Sequence, residues 1–332
     1  MISVVVVNWN RRELLRACLV SLARQSGVSF ETIVVDNGSA DGSADLAERE
    51  FGAQVIRNFE NRGFCAANNQ GIAAARGEFI ALLNNDAEAE PCWLAELHRA
   101  CSSRPEIGMT ASKVLVWEDP RRIDKAGHLI FPDGQNRGRG CGALDCGQFD
   151  REEEVLWPDG CAAMYRKSML DAIGGFDEDF FAYGDDAELG LRARIAGWSC
   201  LYAPRAIVRH HRGATMGKDS AGRLALIERN RVLLALKLFP ASLLWLNPFY
   251  YALRLAAGAA LAGRGAGDTA HFPGTAGKIA MAGALLRGDC AALRLAPRML
   301  RKRAEVDRLR KLSPGEVRRL IFRYRLAWRD VA

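Results

Sequence analysis

The sequence predicts an α/β fold, a mixed and mostly parallel sheet flanked by helices, with a helical segment at its C-terminal end. Three observations carry this. Apolar strand-like runs alternate with helical periodicity through the first hundred residues, two of those runs end in an acid, and the composition turns basic past residue 228. Strands separated by helices of about 10–15 residues imply βαβ units and parallel pairing.

The elements follow in order. Ile2–Val7 is the first strand, and residues 11–24 place Leu14, Leu15, Cys18, Leu19 and Leu22 at helical spacing. Phe30–Val35 is the next strand and runs into Asp36-Asn37-Gly38-Ser39. Ser43–Phe51 reads as a helix, Gln54–Arg57 as a short strand and Gly63–Ala75 as a helix. Glu78–Leu83 is a near-continuous apolar run that stops at Asn84-Asn85-Asp86, and Pro91 then favours a helix start. From about residue 107 the rhythm changes. Short strands at Gly108–Val116 and Cys161–Tyr165 are split by a Gly- and Arg-rich loop, Asp133–Gly147. Lys167–Ile173, the turn Gly174-Gly175-Phe176, a helix near Asp186–Ala196 and strands near Trp198–Tyr202 and Ala206–Arg209 complete the region.

Charge divides the chain into an acidic domain at 1–228 and a basic, amphipathic helical region at 229–332. The latter holds 20 Lys+Arg against 6 Asp+Glu, the former 26 against 33, and so sharp an asymmetry suggests two jobs. The run Val232–Ala262 is apolar, but Lys237, Pro240, Asn247, Pro248 and Arg254 interrupt it. No uncharged stretch of about 18 residues exists, so a spanning helix is not expected. Trp245, Phe249, Tyr250 and Tyr251 suit helices lying in a bilayer interface, and the basic residues beyond would attract anionic lipid. A helical hairpin packed on the acidic domain is the competing reading. Nucleic acid is not expected as a partner, because no base-reading motif accompanies the charge. The N-terminus enters a strand with no secretory pattern, which favours the cytoplasm and reduced thiols. Cys141, Cys146 and Cys161 match no common structural zinc spacing.

Ligands of open α/β sheets bind at the C-terminal ends of the strands. Three polar ends fall there: Asn8-Trp9-Asn10, Asp36-Asn37-Gly38-Ser39 and Asn84-Asn85-Asp86. A carboxylate at such an end suits a divalent cation and a diphosphate, and Asp36 can accept hydrogen bonds from a nucleotide's base or ribose. Asp-Asn-Gly-Ser is also strong turn chemistry, but Asp86 at the same edge tips the balance towards a ligand. Asn61, Arg62, Gly63 and Asn68 form a polar loop feeding a helix start, which suits phosphate or sugar hydroxyls. Asp185, Asp186 and Glu188 crowd another helix start beside an aromatic loop that includes Tyr183. They compensate the helix dipole, and crowding also raises a carboxyl towards a useful base. His210-His211 ends a strand near these acids, a setting that suits a metal ligand. Asp159-Gly160 precedes a small-residue strand that could floor an acceptor site, although turn placement explains Asp159 equally well.

Taken in order, Asn8-Trp-Asn10, Asp36-Asn-Gly-Ser-x-Asp41-Gly-Ser, Asn61-x-Gly63-Phe64, Asn84-Asn85-Asp86, Gly-Gly-Phe-Asp177-Glu178, Asp185-Asp186-x-Glu188 and His210 resemble the family-two glycosyltransferases. The rhamnosyltransferase-like branch of bacterial polysaccharide synthesis is the nearest likeness, over about residues 1–235. The resemblance implies a GT-A fold and inverting transfer from a nucleoside-diphosphate sugar, with dTDP-rhamnose as the first guess, to a glycan or polyprenyl-linked glycan. It implies that Asp36 holds the nucleotide base with Asn8 and Asn10 nearby, and that Asp86 closes the family's Asp-x-Asp motif. A divalent cation, Mg²⁺ or Mn²⁺, would sit there with His210. Asp186 would be the catalytic base, preceded by Asp185 where Glu is usual. Two departures stand out: Asn84 replaces the first acid of the Asp-x-Asp motif, and Glu188 stands where Asp is commoner. The implied location is the inner face of the cytoplasmic membrane, as a peripheral protein. The competing readings are a sugar-phosphate nucleotidyltransferase, which would want glycine after the first strand, and an inactive nucleotide- or glycan-binding scaffold.

Overall fold

The computed structural model describes residues 1–211, 221–262 and 274–331. Part of the predicted basic region, 263–273, therefore lies outside the described residues. The rest divides into two compact units. One holds residues 1–128 and 138–211, the other 129–137 and everything described from 221 onward.

The first unit is built on a mixed sheet. Its opening half is β1 (Ile2–Asn8), α1 (Arg12–Ala23), β2 (Phe30–Asp36), α2 (Ser43–Phe51), β3 (Gln54–Arg57), α3 (Gly63–Ala74) and β4 (Phe79–Leu83). β1 pairs in parallel with both β2 and β4, and β2 with β3. Val4, Val5 and Val6 in β1 and all of β4 are shielded on both faces, which is why they read as continuous apolar runs. Leu15, Cys18, Leu19 and Leu22 seat α1 in the core, each large side chain contributing roughly 1.5–3 kcal/mol.

The second half adds β5 (Ala87–Ala89), α4 (Trp93–Ser102), β6 (Ile107–Val116) and β7 (Ile123–Lys125); after β8 (His128–Ile130) and β9 (Asn136–Gly138), which fall mostly in the second unit, it resumes with β10 (Glu153–Val155), β11 (Ala162–Arg166), α5 (Lys167–Ile173), α6 (Asp185–Ile195) and β12 (Ser199–His210). β11 runs antiparallel between β4 and β6, so the sheet reads β10-β12-β6-β11-β4-β1-β2-β3. The two strands expected after residue 198 are one strand, β12, with a bulge between Ala203 and Ile207 where Pro204 interrupts the ladder. The expected loop Asp133–Gly147 contains β9, which pairs with β8 in a small separate sheet.

The second unit holds α7 (Ala221–Leu238), α8 (Ala241–Ala262), α9 (Gly274–Leu309) and α10 (Pro314–Arg323), the last opened by a Ser313/Glu316 capping box. Buried charge ties it together. Arg254 donates to Asp133 Oδ2 at 2.6 Å and to both oxygens of Glu228, and Arg231 donates to Glu228 at 2.7 Å and to the Asp133 carbonyl at 2.8 Å. No described helix is long and apolar enough to cross a membrane.

Candidate active site

Strand register assembles the site. Asn8 and Asp36 are partners across β1 and β2, and Asn8 Nδ2 donates to Asp36 Oδ1 at 3.3 Å. The second Asp36 oxygen accepts Ser39 N–H at 2.9 Å, which folds the Asp-Asn-Gly-Ser turn as its chemistry predicts. Asn85 reaches across from the end of β4 and donates to Asn8 Oδ1 at 2.7 Å. Asn10 is held in left-handed backbone (φ 49°) while its side chain accepts from Ala40 N–H. Asn8, Asn10, Asp36 and Asn85 thus form one connected polar edge.

Asp86 and His210 lie on neighbouring strands, since Ala87 is the register partner of His210. His210 Nε2 is 3.3 Å from Asp86 Oδ1, and its Nδ1 is 2.9 Å from Asp124 Oδ2. A carboxylate behind a histidine fixes the ring for metal ligation. Burial works against charge on both partners, but the His210 interaction holds the Asp86 carboxyl below its ordinary value. The neighbouring acids and Cys161 raise His210 despite its burial. Asp86 Oδ1 is buried without a well-aligned hydrogen-bond partner, as expected of an oxygen shaped for a cation. Asp86 and His210 therefore fit a divalent ion. Asn84, whose N–H donates to the Cys161 carbonyl at 2.8 Å, brings an amide where a second acid would add affinity.

A third group forms around Asp186 at the start of α6. Asp186 Oδ2 lies 3.4 Å from the Gly160 N–H and 3.5 Å from His128 Nε2. His128 also contacts Asp159 at 2.9 Å, and Lys125 Nζ sits 2.6 Å from the same Asp159 oxygen. Burial and then the Asp186 charge push Asp185 well above the ordinary carboxyl value. Burial and the Asp159 charge raise Asp186 too, against the pull of His128 and Lys125. Asp159 goes the other way, because Lys125 and His128 outweigh its burial. His128, Asp159 and Asp186 are close enough to share a metal ion, but the Lys125 ammonium already supplies the cation that this cluster needs. Cys161 links the groups: its N–H donates to Asp159 at 2.9 Å and its thiol lies beside His210.

Other predicted residues stand apart. Asn68 is buried and donates to the Phe64 carbonyl within its own helix. The N–H groups at the start of α3 are already used: Asn61 accepts from Gly63, and the Phe181 carbonyl accepts from Phe64 and Cys65. Arg62 is exposed at that helix start. Glu188 is fully buried, with both oxygens on Arg192, which also donates to the carbonyls of Gly174 and Gly175. It braces the Gly-Gly-Phe turn under α6. Phe181 and Tyr183 both have positive φ, a cost of order 1–3 kcal/mol each that surrounding structure must sustain. Sequence reasoning missed Asp124, Lys125 and His128. They lie in or beside three-residue strands, too short to carry a periodic signal.

The chain also resembles known proteins. The model for Glycosyl transferase family 2 matches residues 3–174. The N-acetylglucosaminyl-diphospho-decaprenol L-rhamnosyltransferase of Mycobacterium tuberculosis is 27% identical over 244 residues, covering 67% of this chain and 80% of that protein. Protein y4gI of Sinorhizobium fredii is 28% identical over 240 residues, covering 66% of this chain, and the chain spans only 25% of its length. Among solved structures, the mannosyltransferase PcManGT of Pyrobaculum calidifontis, in complex with GDP-Man and Mn²⁺, superposes with a TM-score of 0.53 at 18% identity, covering 93% of this chain and 85% of that one. Its likeness shows a GT-A-type fold. The ordered polar strand ends, the acids opening α6 and a family match over more than half its length place this chain in glycosyl transferase family 2.

Proposed function

We propose that this glycosyltransferase works with inversion, moving a sugar from a nucleoside-diphosphate donor to a hydroxyl of a polyprenyl-linked glycan in cell-envelope polysaccharide synthesis. Rhamnose from dTDP-rhamnose is the first donor to test, on the strength of the Mycobacterium tuberculosis relative. The observation that carries the reading is Asp186, a buried carboxyl of raised pKa, linked through Asp159 and Cys161 to the Asp86–His210 pair. Asp186 takes the proton of the acceptor hydroxyl as that oxygen attacks the anomeric carbon opposite the departing diphosphate. Asp185 holds back competing charge beside it, and Asp159, Gly160 and Tyr183 border the acceptor. Asp36, Asn8, Asn10 and Asn85 receive the nucleotide, and Asn61 and Arg62 flank it. Asp86 and His210 would hold Mg²⁺ or Mn²⁺, which offsets charge growing on the leaving diphosphate. Residues 1–228 act as the catalytic domain, and the basic region 229–332 keeps the protein peripheral at the inner face of the cytoplasmic membrane.

The test is nucleoside-diphosphate release from dTDP-, UDP- and GDP-sugars with Mg²⁺, Mn²⁺ or EDTA, on wild type and Asp186→Asn. Release from one donor that requires both the metal and Asp186 is the expected result. Absence of release together with absence of nucleotide-sugar binding would defeat the reading. Binding that survives in Asp186→Asn, with turnover down about 10²–10⁴-fold, assigns the base.

A further inference from the structure

The second unit leaves apolar side chains in water in a regular pattern. On α9, Ile279, Leu286, Leu293 and Leu300 are 68%, 66%, 67% and 52% exposed, and each lies seven residues after the last. Seven residues fall about 20° short of two full turns, so the four form one stripe roughly 30 Å long. The residue after each of the last three is an exposed arginine: Arg287, Arg294 and Arg301. The other side of α9 is already occupied. Ala284, Gly288, Ala292 and Met299 are buried, and a Cβ at Gly288 would meet the α7 backbone at 2.5 Å. On α8, Trp245 and Phe249 stand one turn apart and are 86% and 59% exposed. The only charged residue of that helix, Arg254, turns inward to Asp133 and Glu228.

We propose that the outer faces of α8 and α9 dock this unit onto an anionic lipid bilayer, lying in the interface rather than crossing it. This rests on the membrane-surface part of the function above and names the surface that performs it. Charge decides against a second copy of the chain as the occupant. Between Lys278 and Arg303, α9 has seven Lys/Arg and a single acid, Asp289, which accepts from Tyr251 at 2.9 Å. A helix of the same sequence laid on the stripe would set arginine against arginine with no acid to pair. Lipid phosphates supply the missing charge, and arginine stems cover apolar surface while their heads reach the phosphates.

Co-sedimentation of the full chain with vesicles of phosphatidylcholine, alone or mixed with phosphatidylglycerol, tests this. Wild type is expected to bind the mixed vesicles and to come off in about 1 M salt, where screening acts beyond about 3 Å. Leu286→Gln with Leu293→Gln should weaken binding at least about tenfold. Replacing Arg287, Arg294 and Arg301 with glutamine should weaken it about fivefold per charge. Unchanged circular dichroism and thermal midpoint keep either loss from being unfolding. If wild type binds no vesicle, the membrane reading itself fails. If wild type binds and the leucine variant binds equally well, that reading stands and the assignment of this face is overturned. A dimer in sedimentation velocity that the leucine variant abolishes, without vesicle binding, makes a second copy the occupant and overturns the proposal.

Discussion

At Asp186, burial and the Asp159 charge raise the carboxyl while His128 and Lys125 lower it, and the rise wins. In the proposed role of base, Asp186 works only when ionised, so turnover is expected to fall as pH drops through its pKa. The raised value sets that fall above the ordinary carboxylate range of about 4. Asp185 and Tyr165 also face Asp186. Asp159→Asn removes a negative neighbour and leaves Lys125 to act on Asp186, so the acid limb of the pH–rate profile should move to lower pH. A limb that stays or moves up takes Asp159 out of the account. Asp124 makes a second, independent prediction. It touches His210 from behind, and loss of such a partner typically costs 10–100-fold in metal affinity. Asp124→Asn should therefore weaken Mn²⁺ binding by about that factor in a calorimetric titration, and an unchanged affinity would show that His210 needs no such support.

Among the elements, α3 packs closely against β1. A Cβ on Gly71 would lie 2.3 Å from Cγ1 of the buried Val5. Gly71→Ala is expected to cost about 1–3 kcal/mol by overpacking, against the usual gain of alanine over glycine in a helix. Urea unfolding reads it as a lower midpoint at unchanged slope, and a higher midpoint would mean that α3 can retreat. The strands legible in the sequence are β1, β2, β4, β6, β11 and β12, marked by length and apolarity, and the half-exposed β3, marked by its Val-Ile pair between turns. The three-residue strands β5, β7 and β8 had no such signature, since a run that short carries no period. The same limit hid half of the site. Asp36, Asp86 and His210 follow or close strongly patterned strands, Asp186 opens a helix, and all four could be found. Asp124, Lys125 and His128 sit in short strands whose partners are 31–86 residues away, so only the folded sheet makes them a group.

For the molecule as a whole, the two units should be separable in stability. Glu228 is 1% exposed and shared between Arg231 and Arg254, and breaking a buried ion pair by removing one partner costs about 3–5 kcal/mol. In Glu228→Gln, hydrogen exchange should quicken across α7, α8 and α9 while β1, β2 and β4 keep their protection. Quickening everywhere would mean that the units unfold together. One feature also bears on how the protein is made. Residues 129–137 leave the first unit, join the second and return, and Asp133 at their centre is fully buried among partners from α7 and α8. The ribosome must finish some hundred further residues before that aspartate can be neutralised. Until then the segment has no home, and its first residue is bonded directly to His128. A chain cut after residue 228 would lose Arg231, Asn247 and Arg254 together and leave Asp133 permanently in that unfinished state.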